Sequence, residues 1–211
     1  VNIIPQDSPD WMAARLGKAT ASRIADVIAK TKSGYSTSRK NYAAELVCER
    51  LTKAPTVGYT NAAMQRGTEL EPEARASYEF FANVEVIPAG YIDHPTLPMA
   101  GASPDGFVGE HGLVEIKCPN AGTHIETLLT GNIDGRYITQ MQWQLCVSGR
   151  QWCDFISYDN RLPEAMRLFI KRVPRDDAMI VELTREVTAF LAEVDHTVAE
   201  LTKRYSIEKA A

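Results

Sequence analysis

The residues of this chain best suited to chemistry are Ser103-Pro104-Asp105-Gly106 and, ten residues after Asp105, Glu115-Ile116-Lys117. An aspartate followed by Glu-x-Lys behind an apolar residue is the pattern of metal-dependent phosphodiester hydrolysis. Two carboxylates hold a hard divalent cation, and a nearby lysine steers or deprotonates the attacking water. Leu113 to Lys117 has strand character, so Glu115 and Lys117 share one face while Val114 and Ile116 enter the core from the other. Upstream, Ala102 to Val108 reads as a partner strand, with Gly109-Glu110-His111-Gly112 as turn material. A three-residue hairpin loop centred on 110 or 111 sets Asp105 opposite Glu115 or Lys117. Glu-x-Lys alone is far more often an ion pair on a surface hairpin. Ser-Pro-Asp-Gly at hairpin distance, with an apolar strand beneath, moves the balance toward a metal site.

Thr20-Ala21-Ser22 precedes the helically spaced Ile24, Val27 and Ile28, making Thr20 or Ser22 a helix cap. Ser38 to Lys53 reads as a second helix with Tyr42, Leu46, Val47 and Leu51 on one side. Residues 54–58 are a break, and 61–81 are mostly helical, with Pro72 starting a segment or kinking it. Glu85 to Ile92 alternates as a strand, and 121–135 hold helix and loop. Tyr137 to Val147 reads as a helix and Trp152 to Tyr158 as a strand, with further short strands at 169–173 and 180–183. From Thr184 to Tyr205, Val187, Phe190, Leu191, Val194, Val198 and Leu201 form an apolar helical stripe. Helices flanking a central run of strands make a mixed α/β domain with the hairpin in its sheet.

The chain's 211 residues fit one domain with a substantial core, and 45% apolar with 24% charged residues is ordinary for a globular protein. No apolar run approaches the ~20 residues that span a bilayer, so no membrane partner is expected. The first seven residues lack the basic and apolar regions of a signal peptide, and we expect a cytoplasmic protein. Cys48, Cys118, Cys146 and Cys153 form no C-x-x-C pair and read as reduced core or near-core thiols. The net charge of −4 argues against a uniformly basic nucleic-acid binder. Residues 15–40 nevertheless carry seven Lys and Arg against only Asp26, a local balance of +6 that suits a phosphate backbone or a solvated helix face.

With these pieces in place, the chain resembles the phage lambda exonuclease family, the YqaJ-like viral recombinases of the PD-(D/E)xK nuclease superfamily. The resemblance runs from about Trp11 to Tyr158 and is carried by blocks in order. These are Trp11…Arg15-Leu16-Gly17…Thr20-Ala21-Ser22, then Arg66-Gly67-Thr68-Glu69-Leu70-Glu71-Pro72-Glu73-Ala74-Arg75. Ser103-Pro104-Asp105-Gly106, Leu113 to Pro119 and Tyr137-Ile138-Thr139-Gln140-Met141-Gln142 follow. The resemblance implies an α/β fold with a restriction-endonuclease-like core, a central mixed β-sheet flanked by helices. We expect a single exonuclease domain over 1–211, with an N-terminal helical part for the 5′-phosphate and DNA (1–83), a catalytic sheet with helices (84–183) and a C-terminal helix (184–205) that rests on periodicity.

The resemblance also implies site roles. Asp105 and Glu115, with the backbone carbonyl of Ile116, would bind Mg2+, for which Mn2+ can substitute, and Glu71 would help hold a second metal. Without it, Glu71 is one of three alternating surface acids with Glu69 and Glu73. Lys117 would orient the water, and Gln140 would stand near the scissile phosphate. Tyr137, one helical turn before Gln140, either faces the site or packs, and Gln144 can share that face. Arg15, Ser22 and Ser103 would hold the terminal 5′-phosphate, a role compatible with helix capping by Ser22. Lys32 would enter the minor groove, and Met64 would wedge the strands apart or belong to the core.

The activity so implied is a 5′→3′ exonuclease that degrades one strand of linear double-stranded DNA to 5′-mononucleotides. It would leave a 3′ single strand for a single-strand annealing protein, from a ring-shaped homotrimer of phage or prophage origin. A site-specific endonuclease of the same superfamily is the nearest rival, and the phosphate-pocket residues weigh against it. An iron–sulfur exonuclease needs cysteine spacings this chain lacks. An inactive DNA-end scaffold fits poorly with intact Asp105, Glu115 and Lys117.

Overall fold

The computed structural model describes residues 4, 6, 8–56 and 62–205. Ser8 opens α1 (Pro9–Arg15) by accepting the Trp11 N–H at 3.2 Å, with proline in the first turn. Gly17 turns the chain at φ +68° into β1 (Ala19–Thr20). Parallel pairing of these two residues with 100 and 101 keeps them extended, so the expected helix starts late. A 3₁₀ turn at Ala21–Arg23 leads into α2 (Ile24–Ile28), and the Thr20 side chain caps nothing while Ser22 lies inside the turn. The hairpin β2 (Lys30–Thr31) and β3 (Gly34–Tyr35) precedes α3 (Thr37–Thr52), which Ser36 caps and which buries Tyr42, Leu46 and Val47.

The long helix α4 (Ala62–Ala82) runs unbroken through Pro72, which therefore does not start it. Proline removes one backbone hydrogen bond, and burial of Ala74 and Tyr78 in the next turns keeps the helix docked. The single strand expected over 85–92 is two short ones in different sheets, β4 (Val86–Ile87) and β5 (Ile92–Asp93). Pro88 cannot donate to a ladder. Gly90 lies so near the Ile4 backbone that a Cβ would meet its oxygen at 2.4 Å.

The remaining elements are β6 (Ala100–Ala102), β7 (Gly106–Val108), β8 (Gly112–Lys117), α5 (Ala121–Thr130), α6 (Gly135–Ser148), β9 (Trp152–Tyr158), a 3₁₀ turn at Glu164–Met166, β10 (Leu168–Pro174) and α7 (Asp177–Arg204). The five-stranded sheet has the order β10-β9-β8-β7-β4, with β8 and β9 parallel and its other pairs antiparallel. The parallel pair requires a crossover, and α5 with α6 supplies it. A smaller sheet has the order β1-β6-β5.

Residues 180–183 are helical, not a strand. Asp176 caps α7 through the Met179 N–H at 3.0 Å, and Ile180 and Leu183 begin the buried stripe continued by Val187, Phe190, Leu191 and Val194. That stripe packs with Ile24, Val27, Tyr42, Leu46 and Trp143, so the last helix closes over the first ones. All four cysteines are free, yet Cys48 is exposed where a near-core thiol was expected, and Cys153 is buried. No helix among the described residues is long and apolar enough to cross a membrane.

Candidate active site

The hairpin bearing Asp105 and Glu115 has the predicted loop, residues 109–111, with Gly109 at φ +52°. Its first strand is divided, because β6 belongs to the small sheet and β7 to the large one. Residues 103–105 bridge the two sheets. Gly106 pairs with Val114, which leaves Asp105 one step further along, beside Glu115. The Ile116 N–H donates to Asp105 Oδ2 at 2.6 Å. Val114 and Ile116 enter the apolar layer under α4, as their alternation with Glu115 demands.

Glu115 is fully buried. Gln140 Nε2 donates to its Oε1 at 2.7 Å and Gln144 Nε2 to its Oε2 at 2.6 Å. Lys117 Nζ lies 2.5 Å from Oε1 and 5.1 Å above the centre of the Tyr137 ring. That ring stacks on Phe155 with centroids 5.7 Å apart, so Tyr137 both packs and faces the lysine. From α4, Glu71 reaches the same cleft, held by Arg75 at 2.8 Å. The cleft measures about 440 Å³ and includes Glu71, Asp105, Ile116, Lys117 and Tyr137 in its lining.

Burial and the nearby Glu115 raise the Asp105 pKa well above the usual carboxylate range. Glu71 is also raised, chiefly by burial and against the pull of Arg75. Burial disfavours the Lys117 ammonium, but Glu115 and Asp105 outweigh it and raise its pKa. Three carboxyl groups therefore crowd one ammonium in a desolvated cleft, an arrangement that a cation relieves. The donors are carboxylate oxygens, the chemistry Mg2+ and Mn2+ prefer. Among the described residues no group of three or more His, Cys, Asp or Glu is arranged as a ready-made metal cage. The donor set fits a hard divalent ion, with Glu115 oxygens that already carry hydrogen bonds.

A second pocket of about 260 Å³ includes Arg15 and Ser22 in its lining, together with Trp11, Lys18 and Arg23. The Arg15 guanidinium lies 3.8 Å above the Trp11 ring, and Trp11 Nε1 donates to Ser103 Oγ at 3.0 Å. Ser103 thus meets the pocket through Trp11, two residues before Asp105. Lys32 is exposed in the β2–β3 turn and lines neither pocket. Met64 falls in the first turn of α4, and its side chain lies outside the described residues.

Sequence reasoning missed the Trp11–Ser103 bond, which spans 92 positions and has no local signal. It also missed Arg75 as the partner of Glu71, although their i,i+4 spacing could have shown it. A third omission is Arg66, which joins α4 to Asp159 at 2.9 Å and to the Pro119 carbonyl at 3.4 Å.

Residues 10–151 match the family described as the YqaJ-like viral recombinase domain. Crystal structures of an alkaline exonuclease (LHK-Exo) from Laribacter hongkongensis, one of them in complex with dAMP, are 55% identical with a TM-score of 0.89. Each match covers 94% of this chain and 98% of that one. A phage related exonuclease from Haemophilus somnus 129PT, 16% identical with a TM-score of 0.69 over 87% of this chain and 96% of its own, shares the fold. No curated protein sequence matches.

Proposed function

Because the chain belongs to the YqaJ-like viral recombinase family, we propose that it is a 5′→3′ exonuclease acting on linear double-stranded DNA. The observation that carries this reading is the Trp11–Ser103 hydrogen bond, which ties the Arg15 pocket to the segment bearing Asp105. A pocket lined by Arg15 and hydrogen-bonded to Ser103, two residues before Asp105, suits a strand held by its end. The alkaline exonuclease activity of LHK-Exo, and its binding of dAMP, support a nuclease with a mononucleotide product.

Arg15 and Ser22, with Ser103 held by Trp11, would bind the terminal 5′-phosphate, Arg15 through charge-assisted hydrogen bonds. Asp105, Glu115, the Ile116 carbonyl and Glu71 would hold Mg2+ or Mn2+, which when bound supplies water activation and stabilises the leaving oxygen. Lys117, placed by Glu115 and the Tyr137 ring, would donate to the attacking water and orient it. Gln140 would fix Glu115 and face the scissile phosphate. Lys32, exposed on its turn, would contact the duplex, and Met64 would act at the strand junction. Processive digestion from a ring-shaped homotrimer, and delivery of the 3′-ended strand to a single-strand annealing protein, complete the proposal.

The test is digestion, with Mg2+, of linear duplex bearing 5′-phosphate or 5′-hydroxyl ends beside closed circular DNA. We expect mononucleotides from the phosphorylated linear duplex, little from the hydroxyl form and an intact circle. Cutting of the circle would establish an endonuclease instead.

A further inference from the structure

We propose that Gln144 is a positioning residue that fixes the Glu115 carboxylate for cation binding, an inference that rests on the metal reading above. Residues 140 and 144 of α6 lie one turn apart on one face, and each delivers one amide donor to a different oxygen of Glu115. Oε1 is shared by Gln140 and Lys117, whereas Oε2 is held by Gln144 alone among the described residues. With both oxygens anchored, the carboxylate has one orientation. Loss of the donor at Oε2 frees its terminal rotation, which is otherwise soft.

Gln144 is itself fully buried, between Trp143 and Leu145, which are equally enclosed. Its own Oε1 meets no hydrogen-bond donor among the described residues. An unsatisfied buried carbonyl costs stability, and an apolar side chain of similar volume would avoid that cost. Reversing the amide does not help, since it would set oxygen against the Glu115 oxygen at 2.6 Å. The amide therefore serves Glu115 at the expense of its own satisfaction, which marks a role beyond packing. Groups behind a metal ligand that orient it typically change affinity or activity by about 10–100-fold when removed.

The experiment titrates Mn2+ calorimetrically into DNA-free wild type, Gln144→Met and Glu115→Gln, with melting temperature and kcat and KM for linear duplex measured alongside. For Gln144→Met we expect Mn2+ affinity and kcat each reduced about tenfold or more, KM for DNA unchanged, and a folded protein. Wild-type Mn2+ affinity and kcat in Gln144→Met would overturn the proposal and leave a purely structural glutamine. If Gln144→Met does not fold, Gln144→Asn keeps an amide one methylene too short to reach Oε2, and the same outcomes decide. If Glu115→Gln binds Mn2+ as tightly as wild type, the metal reading fails and this proposal falls with it. That result is distinct from a failure confined to Gln144.

Discussion

The oxygens of a carboxyl group as deeply enclosed as Glu115 need partners, and Gln140, Gln144 and Lys117 supply them. Asp105 has the weaker support of one backbone N–H. This difference assigns Glu115 the fixed position and Asp105 the adaptable one. At the second pocket, Trp11 does two things with one ring, supporting Arg15 on its face and holding Ser103 with its N–H. Arg15→Ala should slow digestion of 5′-phosphorylated ends by about 10–100-fold, the worth of lost charge-assisted hydrogen bonds. The rate on 5′-hydroxyl ends should barely change. Equal slowing on both ends, in initial rates with the two labelled duplexes, would remove Arg15 from phosphate recognition. Trp11→Phe keeps the ring but loses the bond to Ser103, so it should show a smaller loss of the same discrimination.

Among the elements, the hairpin was legible because its signals are local: a turn of four residues, an apolar strand and a two-residue alternation. The helices bearing Glu71 and Gln140 were legible from pattern, whereas the direction of these two side chains toward the cleft was legible only through their sequence blocks. Other features depend on distant partners. Residues 85–92 alternate like a strand, and the contact of Gly90 with Ile4 together with Pro88 divides them between sheets. Residues 180–183 are a short apolar run whose period is ambiguous alone, and the Asp176 cap decides for helix. Asp176→Ala should cost about 1 kcal/mol in urea unfolding, whereas no change would deny the cap its role. The end of β9 depends on Asp159, which Arg161 and, from α4, Arg66 engage. The Arg161 hydrogen bonds lead in holding the Asp159 pKa at about 2, against the opposing effect of burial. The folded value lies below the unfolded one of about 4. The stabilisation is therefore complete above pH ~4 and disappears as pH falls toward 2. Arg161→Ala should be less stable than wild type near neutrality, read as a lowered urea midpoint, with the gap closing over that acid range. A gap independent of pH would contradict this.

At the scale of the molecule, the N-terminal pocket is held from behind by the C-terminal helix. Phe190 of α7 stacks on Tyr42 with centroids 5.5 Å apart, and the Tyr42 hydroxyl accepts the Thr20 N–H at 3.1 Å. Periodicity alone revealed the apolar stripe of α7 but not what it covers, since that surface is assembled from residues as far apart in the chain as Ile24, Tyr42 and Trp143. Phe190→Ala should destabilise the whole protein by about 3–5 kcal/mol, read as a lowered urea midpoint. The proposed trimer predicts a sedimentation mass of three chains. The central claim, that Asp105, Glu115 and Lys117 form the hydrolytic cleft, is tested most directly with Lys117→Ala on 5′-phosphorylated linear duplex in Mg2+. We predict no release of mononucleotides while DNA binding is largely retained; digestion at the wild-type rate would contradict the account.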